Sequence, residues 1–303
     1  MGILNISLRL SPTCLVSLDL LTSLDGLLWL QSGKEVGERF RQHQTTVSRN
    51  QKKCAQVFGL TLSKQKGCWA ISEETKLLRL ERVVHQNARL LGKSPLRLEA
   101  NGWLDRGLWD PTPEGWLSGS KHPLGASRCL ELLEKRIVDA WLGPLHEIPC
   151  GTTKFRVHPL CTMPMRLLAE PGHPLLRSDP VSLNEAKTYP WETPRGGAYP
   201  KTQEQLASAG LWPPRQRAHT QSPKTSLERR DAKKLLHLGS VLSHSPAHPD
   251  LIPLPLPITT HTSLTLVVRS DHDDHPALLG LRRSLEQRLR HKQNRYPEIQ
   301  LQA

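Results

Sequence analysis

The chain has 303 residues, which is enough for two domains of ordinary size, and 37% of them are hydrophobic. Its mean hydropathy is −0.45, and Asp19 and Asp25 interrupt its one long leucine-rich stretch, so a membrane-spanning helix is excluded. Lysine and arginine outnumber aspartate and glutamate, which leaves a net charge of +13. A surface this basic is expected to attract polyanions, and nucleic acid is the first candidate.

The six cysteines are scattered and include no Cys-x-x-Cys pair. A chain of this length does not need disulfides to remain folded, so reduced thiols are expected. The amino-terminal stretch lacks the pattern of a secretory signal, and Ile6 stands where a myristoylated protein needs serine or threonine. We therefore expect a cytoplasmic protein with no membrane partner.

Three short amphipathic segments near the amino terminus predict helices. Leucines recur at spacings of three and four over residues 15–30, and Ser32 and Gly33 follow. Residues 34–41 and 45–57 predict two more helices, and three short helices this close together predict a helix-turn-helix. The side chains predicted to turn inward from the third helix are Val47, Cys54, Val57 and Phe58.

Two short apolar segments, residues 60–62 and 69–71, flank a basic tip that contains glycine, and they predict a β-hairpin wing. Ser72 is then predicted to cap a long helix, with Glu73 and Glu74 in its first turn. This helix carries an apolar stripe at spacings of three and four, formed by Leu77, Leu80, Val84, Ala88 and Leu91. We expect the stripe to pack against its copy in a second subunit; the alternative is packing against the following domain.

The helix-turn-helix and wing, residues 31–71, contain eight lysines and arginines and two glutamates, a net charge of +6. Cations on a recognition helix and wing pair with phosphates, while short polar side chains reach base edges in the major groove. The side chains predicted near base edges are Gln44, Thr45, Thr46 and Ser48. Those predicted on phosphates or guanine are Arg49, Lys52 and Lys53, and those predicted to reach the flanking DNA from the wing are Lys64 and Lys66. The alternative is a solvated basic helix that binds nothing.

Two sets of residues resemble LysR-type transcriptional regulators. Residues 44–49 (QTTVSR) and 58–62 (FGLTL) resemble the recognition helix and the wing entry of that family. The second set resembles its effector domain and consists of residues 130–144, 157–160, 163–165 and 171–175. The likeness continues through residues 197–200, a late strand at 264–269 and a closing helix at 275–290.

The resemblance implies an α/β protein with an all-α winged helix-turn-helix at its amino end, a long linker helix that pairs two subunits, and a two-lobed, periplasmic-binding-protein-like α/β effector domain. The implied domains are an extension at 1–14, a DNA-binding domain at 15–71, a linker helix at 72–93 and an effector-binding domain at 94–303. It implies a small-molecule effector of unknown identity and no further cofactor. The effector contacts expected on this basis are Asn101, Gly102 and Tyr199.

Gln51 departs from the family pattern, because an apolar core residue is usual at its position. Either the helix core is looser there, or Gln51 turns outward to the DNA. The run of aspartates and histidines at 271–275 contains competent metal ligands. It lies between a predicted strand and the proline that begins a helix, so we expect a polar loop and predict no metal.

The sequence therefore predicts a sequence-specific, DNA-binding transcriptional regulator that catalyses no reaction. Its expected partners are double-stranded DNA, a small-molecule effector and further copies of itself, in a homodimer or homotetramer. One alternative is a solute-binding α/β module whose helical front end contacts other proteins. Another is a general basic nucleic-acid-binding protein without sequence preference.

Overall fold

The computed structural model describes residues 16–65, 68–100, 106–119, 124–178, 180–193, 197–212, 216–218, 234–243, 251–256 and 258–302. The chain divides into two compact units. The first comprises the residues up to Ser94 together with Lys135–Ile137, and the second comprises Pro95–Glu134 and the residues from Val138 onward. None of the helices in these ranges has the length and hydrophobicity needed to cross a membrane.

Three helices form the head of the first unit: α1 (Leu18–Leu30), α2 (Gly33–Phe40) and α3 (Gln44–Val57). From Leu21 onward the leucines of α1 are buried, which gives the three helices a common core. The predicted helix-turn-helix is confirmed, with shifted ends. The first helix begins at Leu18 rather than at residue 15, because the Ser17 hydroxyl accepts a hydrogen bond from the Leu20 amide.

The wing is an antiparallel hairpin of β1 (Leu62–Gln65) and β2 (Cys68–Ile71). The first strand begins later than the predicted segment at 60–62. The Leu60 amide donates to the Ala55 carbonyl at 2.8 Å, so this residue closes the end of α3 instead of joining the hairpin.

The linker helix α4 (Lys76–Leu90) starts later than predicted. Thr75, not Ser72, is its N-cap and accepts a hydrogen bond from the Leu78 amide at 3.2 Å. The Ser72 hydroxyl instead accepts from the Thr61 amide at 3.2 Å and closes the base of the wing. The prediction for Ser72 was wrong because the sequence offers two hydroxyl residues in competition for one helix start.

The second unit contains two sheets. The first sheet has six strands in the order β13-β6-β12-β5-β3-β4, and the second has five in the order β11-β7-β10-β8-β9. The strands are β3 (Leu96–Ala100), β4 (Trp116–Ser118), β5 (Ala140–Gly143), β6 (Phe155–Pro164), β7 (Arg166–Ala169), β8 (Trp191–Thr193), β9 (Gln216–Ala218), β10 (Leu236–Gly239), β11 (Ile252–Pro253), β12 (His261–Arg269) and β13 (Gln300–Leu301). The helices are α5 (Arg106–Trp109), α6 (Ala126–Glu134), α7 (Leu183–Ala186), α8 (Pro200–Ser208) and α9 (Pro276–Arg295).

The chain passes from the first sheet to the second between β6 and β7, and it returns between β11 and β12. Two crossings of this kind make two α/β lobes, as predicted. The late strand is confirmed within β12. The closing helix is also confirmed as α9. His275 is its N-cap, its buried face is formed by four leucines at helical spacing, and the helix ends at Arg295.

Candidate nucleic-acid interface

The inward face of α3 anchors this helix to the core of the head. Its buried side chains are Val47, Gln51, Cys54, Ala55 and Phe58. Val57 was predicted to turn inward, but this last residue of α3 is 41% exposed. Burial, reinforced by the negative charge of Asp25, raises the pKa of the Cys54 thiol to about 12, so this cysteine remains an inert core thiol.

Gln51 lies in the core, so the alternative in which it turns outward to the DNA is excluded. Its Oε1 atom is buried and has no hydrogen-bond partner among the described residues. A buried, unsatisfied carbonyl oxygen is unfavourable. The core of the head is therefore weaker at this position than an apolar residue would make it.

The outward face of α3 carries the predicted base and phosphate contacts. Its exposed side chains are Gln44, Thr45, Ser48, Arg49, Lys52 and Lys53, while Thr46 is half-buried. Within the described residues, no carboxylate forms an ion pair with Arg49, Lys52 or Lys53. Their positive charge is thus available to an outside anion.

The start of α3 is organised by His43. Its Nδ1 atom accepts a hydrogen bond from the Thr45 amide at 3.4 Å and lies 2.9 Å from the Thr45 hydroxyl. Gln44 becomes the first residue of the helix. The predicted base-reading side chains consequently lie in and next to the first helical turn, where the helix dipole is positive.

The turn between α2 and α3 requires glycine at position 37. A Cβ atom there would lie 2.6 Å from the Gln42 carbonyl oxygen, which is shorter than any real contact. The Gly37 carbonyl accepts a hydrogen bond from the Gln42 amide at 2.9 Å. Because the backbone of Gln42 lies directly against Gly37, the path of the turn from α2 to α3 depends on this glycine.

The wing is attached to α1 through Gln31, a residue whose role the sequence did not reveal. The Trp69 amide donates to Gln31 Oε1 at 2.5 Å, and Gln31 Nε2 donates to the Leu28 carbonyl at 2.7 Å. Lys64 is exposed on the wing, with its Nζ atom 5.3 Å from the centre of the Trp69 ring. Lys66, the other predicted wing contact, lies outside the described residues.

The apolar stripe of α4 faces outward. Leu77, Leu80, Val84 and Leu91 are 47% to 73% exposed, and Ala88 is half-buried. Within the described residues this is a continuous uncovered row of large apolar side chains. Such a row on a helix favours association with another apolar surface.

The opposite face of α4 is buried and polar. Arg82 donates to Asp25 and Glu74, while Glu81 contacts the His85 ring at 3.2 Å. Of these contacts, the one between Arg82 and Asp25 fastens the linker helix to the head. The periodicity of α4 revealed its apolar stripe but gave no indication that its charged face would be the buried one.

The predicted effector contacts are only partly described. Tyr199 is buried at the start of α8, and its hydroxyl donates to the Leu124 carbonyl at 2.7 Å. Asn101 and Gly102 lie outside the described residues. Of the three predicted effector contacts, the structure therefore describes Tyr199, whose hydroxyl is hydrogen-bonded within the protein.

The polar run at 271–275 begins as a short 3₁₀ helix, Ser270–His272. The Asp271 carboxylate accepts a hydrogen bond from Arg269 Nε at 3.0 Å, and the Asp273 carboxylate lies 2.6 Å from the His158 ring. Within the described part of the chain, no group of three or more potential ligands is placed to hold a metal ion.

The protein-family model described as LysR substrate binding domain matches residues 122–290 of this chain. The chain belongs to the LysR family. LysR-type proteins are transcriptional regulators and not enzymes. No curated protein sequence matches this LysR-family chain.

Solved structures of LysR-type proteins resemble it over most of their length. A full-length OxyR variant from Pseudomonas aeruginosa is 17% identical and covers 89% of this chain and 97% of its own, with a TM-score of 0.46. An H2O2-bound OxyR mutant from Corynebacterium glutamicum is 13% identical, with 91% and 93% covered and a TM-score of 0.48. CbnR, a LysR family transcriptional regulator, is 12% identical, with 90% and 99% covered and a TM-score of 0.47.

Proposed function

We propose that this LysR-family chain is a sequence-specific, DNA-binding transcriptional regulator whose operator binding is modulated by a small-molecule effector. The observation that carries the proposal is the outward face of α3. Arg49, Lys52 and Lys53 share this exposed face, and the opposite face of the same helix is anchored in the core. A rigid helix that presents cations and short polar side chains suits the major groove.

In this proposal α3 lies in the major groove and the wing contacts the flanking DNA. The side chains near base edges are Gln44, Thr45, Thr46 and Ser48. Arg49, Lys52 and Lys53 bind phosphates or guanine, and Lys64 and Lys66 reach the flanking backbone or the minor groove from the wing. Each phosphate contact releases counterions, so the affinity for DNA falls steeply as the salt concentration rises.

The exposed stripe of α4 is proposed to pair two copies of the chain, in a homodimer or as part of a homotetramer. Burying Leu77, Leu80, Val84 and Leu91 against their copies removes apolar surface from water. A two-fold axis between the subunits places two recognition helices on the DNA. The operator is then expected to contain two inverted half-sites.

We divide the chain into an extension at 1–14, a DNA-binding domain at 15–71, a linker helix at 72–93 and an effector-binding domain at 94–303. The effector is proposed to bind between the lobes near Asn101, Gly102 and Tyr199, and no cofactor besides the effector is needed. By preferring one lobe arrangement, it shifts the population of DNA-binding states. A regulator of this kind works in the cytoplasm, where its DNA is, and catalyses no reaction.

Selection of bound duplexes from random double-stranded DNA, followed by sequencing, tests the proposal. We expect enrichment of an inverted repeat whose half-sites are centred about one or two helical turns apart. Binding that is sensitive to salt but enriches no sequence supports the general basic nucleic-acid binder instead. Small-molecule binding with no affinity for DNA supports the solute-binding module.

A further inference from the structure

A cavity of about 580 Å³ opens in the second unit beneath the segment that follows β5. Its apolar walls come from Leu145, Ile148 and Val157, and its polar rim includes His146, Gln205 and His261. Tyr199 is not among the described residues that line it. We propose that this cavity binds a small uncharged aromatic alcohol, at a site separate from the proposed effector contacts.

The chemistry of the walls favours an uncharged ligand. Among the described residues that line the cavity there is no aspartate, glutamate, lysine or arginine. Burial lowers the pKa of His146 despite the opposing charge of Glu147, so this imidazole is uncharged at neutral pH. An ion in this cavity would gain no counter-charge from these lining residues.

The walls are held in place by hydrogen bonds between separate elements. The Leu145 amide donates to the Ser263 hydroxyl at 3.0 Å, and His146 Nε2 lies 2.7 Å from the Thr202 hydroxyl. On the outer side, Gln205 Nε2 donates to the His261 carbonyl at 3.2 Å. These bonds join the walls within the protein itself, and the volume of the cavity is in the range of small-molecule sites.

The hydroxyl group of the ligand is inferred from the tautomer of His261. Its Nδ1 atom lies 2.9 Å from the Thr259 carbonyl oxygen, which can only accept a hydrogen bond. In the uncharged ring Nδ1 therefore carries the proton, and Nε2 is left as an acceptor. A ligand hydroxyl can donate to this atom, while an aromatic body covers the apolar walls.

Direct binding to the full-length chain tests the site without DNA, so its failure is distinguishable from failure of the proposed regulatory function. The probe is 1-naphthol, and 1-naphthoate is its charged counterpart. Near neutral pH we expect saturable binding of 1-naphthol in a fluorescence titration and at least tenfold weaker binding of 1-naphthoate. No saturable binding of 1-naphthol, or equal binding of both probes, overturns the proposal.

Two variants locate the probe. Val157→Trp fills the cavity and is expected to abolish binding, while His261→Phe removes the acceptor and should weaken binding by about tenfold. His291→Phe is the matched control, because His291 is exposed on α9 and does not line the cavity. Circular dichroism verifies that each variant is folded. Unchanged binding by folded Val157→Trp overturns the proposal.

Wild-type protein provides a second readout. Cys150 is exposed and lines the cavity, whereas Cys68 is exposed on β2 in the first unit. We expect saturating 1-naphthol to slow alkylation of Cys150 several-fold, measured by peptide mass spectrometry, and to leave alkylation of Cys68 unchanged. Equal rates at Cys150 with and without the probe contradict the assignment.

Discussion

Arg82 and Asp25 form an ion pair 2.6 Å long, although each side chain is only 1% exposed. Both Nε and Nη2 of Arg82 donate to the same carboxylate oxygen, and Nη1 donates to Glu74. Charges this deeply buried are tolerated only when their hydrogen bonds are satisfied. The pair joins α4 to α1, and it determines which face of the linker helix remains outside.

Removing one partner of this pair is expected to destabilise the protein severely. Asp25→Ala leaves the buried Arg82 with Glu74 as its remaining carboxylate partner, and we expect it to lower the free energy of unfolding by about 3 kcal/mol, the lower end of the range for a broken buried pair. The double variant Asp25→Leu with Arg82→Met replaces both charges by apolar groups and should recover most of this loss. Urea unfolding followed by circular dichroism measures both effects.

The matched control is Lys34→Ala, which removes a surface ion pair with Glu38 whose side chains are 78% and 61% exposed. Its expected effect is below about 1 kcal/mol. If Asp25→Ala costs no more than this control, the buried pair does not hold the linker helix. A double variant as unstable as Asp25→Ala would mean that the charges themselves are required.

The exposed stripe of α4 predicts that Leu80→Glu dissociates the oligomer. A carboxylate at the centre of an apolar interface would lose its hydration without a counter-charge, so association becomes unfavourable. Multi-angle light scattering should report a monomer mass for this variant and at least a dimer for the wild type. Arg79→Glu is the control, because Arg79 is exposed on the same helix but off the stripe. If the Leu80→Glu variant is still an oligomer, the stripe is not part of the interface between subunits.

Arg49→Ala is expected to weaken binding to the selected operator. The loss should be about 1 to 3 kcal/mol if Arg49 reads a base, with relaxed specificity at that position. If it contacts only a phosphate, the slope of affinity against salt concentration should flatten by about one unit. Gel-shift titrations at several salt concentrations separate these cases, with Lys93→Ala, an exposed cation beyond α4, as the control. Unchanged affinity would place Arg49 outside the interface.

His85 is expected to make the first unit less stable in mild acid. Burial lowers its pKa from the ordinary value of 6.5, even though the charge of Glu81 acts in the opposite direction. As the pH falls below about 6.5, His85 therefore binds a proton more readily in the unfolded chain than in the folded chain. The stabilisation is fully present above about pH 6.5 and decreases as the pH falls through that value.

His85→Gln removes this linkage. We expect the difference in unfolding free energy between about pH 7.5 and pH 5.5 to be smaller in this variant than in the wild type. Burial also lowers the pKa values of His146 and His173. Both the wild type and the variant contain these two histidines, so the difference between the two proteins reports on His85. His291→Gln, at an exposed position on α9, serves as control. An identical pH dependence with and without His85 would contradict the prediction.

The sequence by itself determined the features that depend on neighbours a few residues apart. Helical periodicity located α1, α3 and the stripe of α4, because spacings of three and four place side chains on one face of a helix. The late strand in β12 and the closing helix α9 were instead predicted from the resemblance to LysR-type regulators. Even so, local signals left the ends of elements open, as with the choice between Ser72 and Thr75.

Only the tertiary structure decided which polar residues are buried and what they contact. Asp25 and Arg82 are 57 residues apart, and Gln31 and Trp69 are 38 apart, so no local pattern connects them. The sequence left open whether Gln51 lies in the core or turns outward, and packing places it in the core. The reason is physical: burial depends on the surface that another element presents, and that surface exists only once the chain has folded.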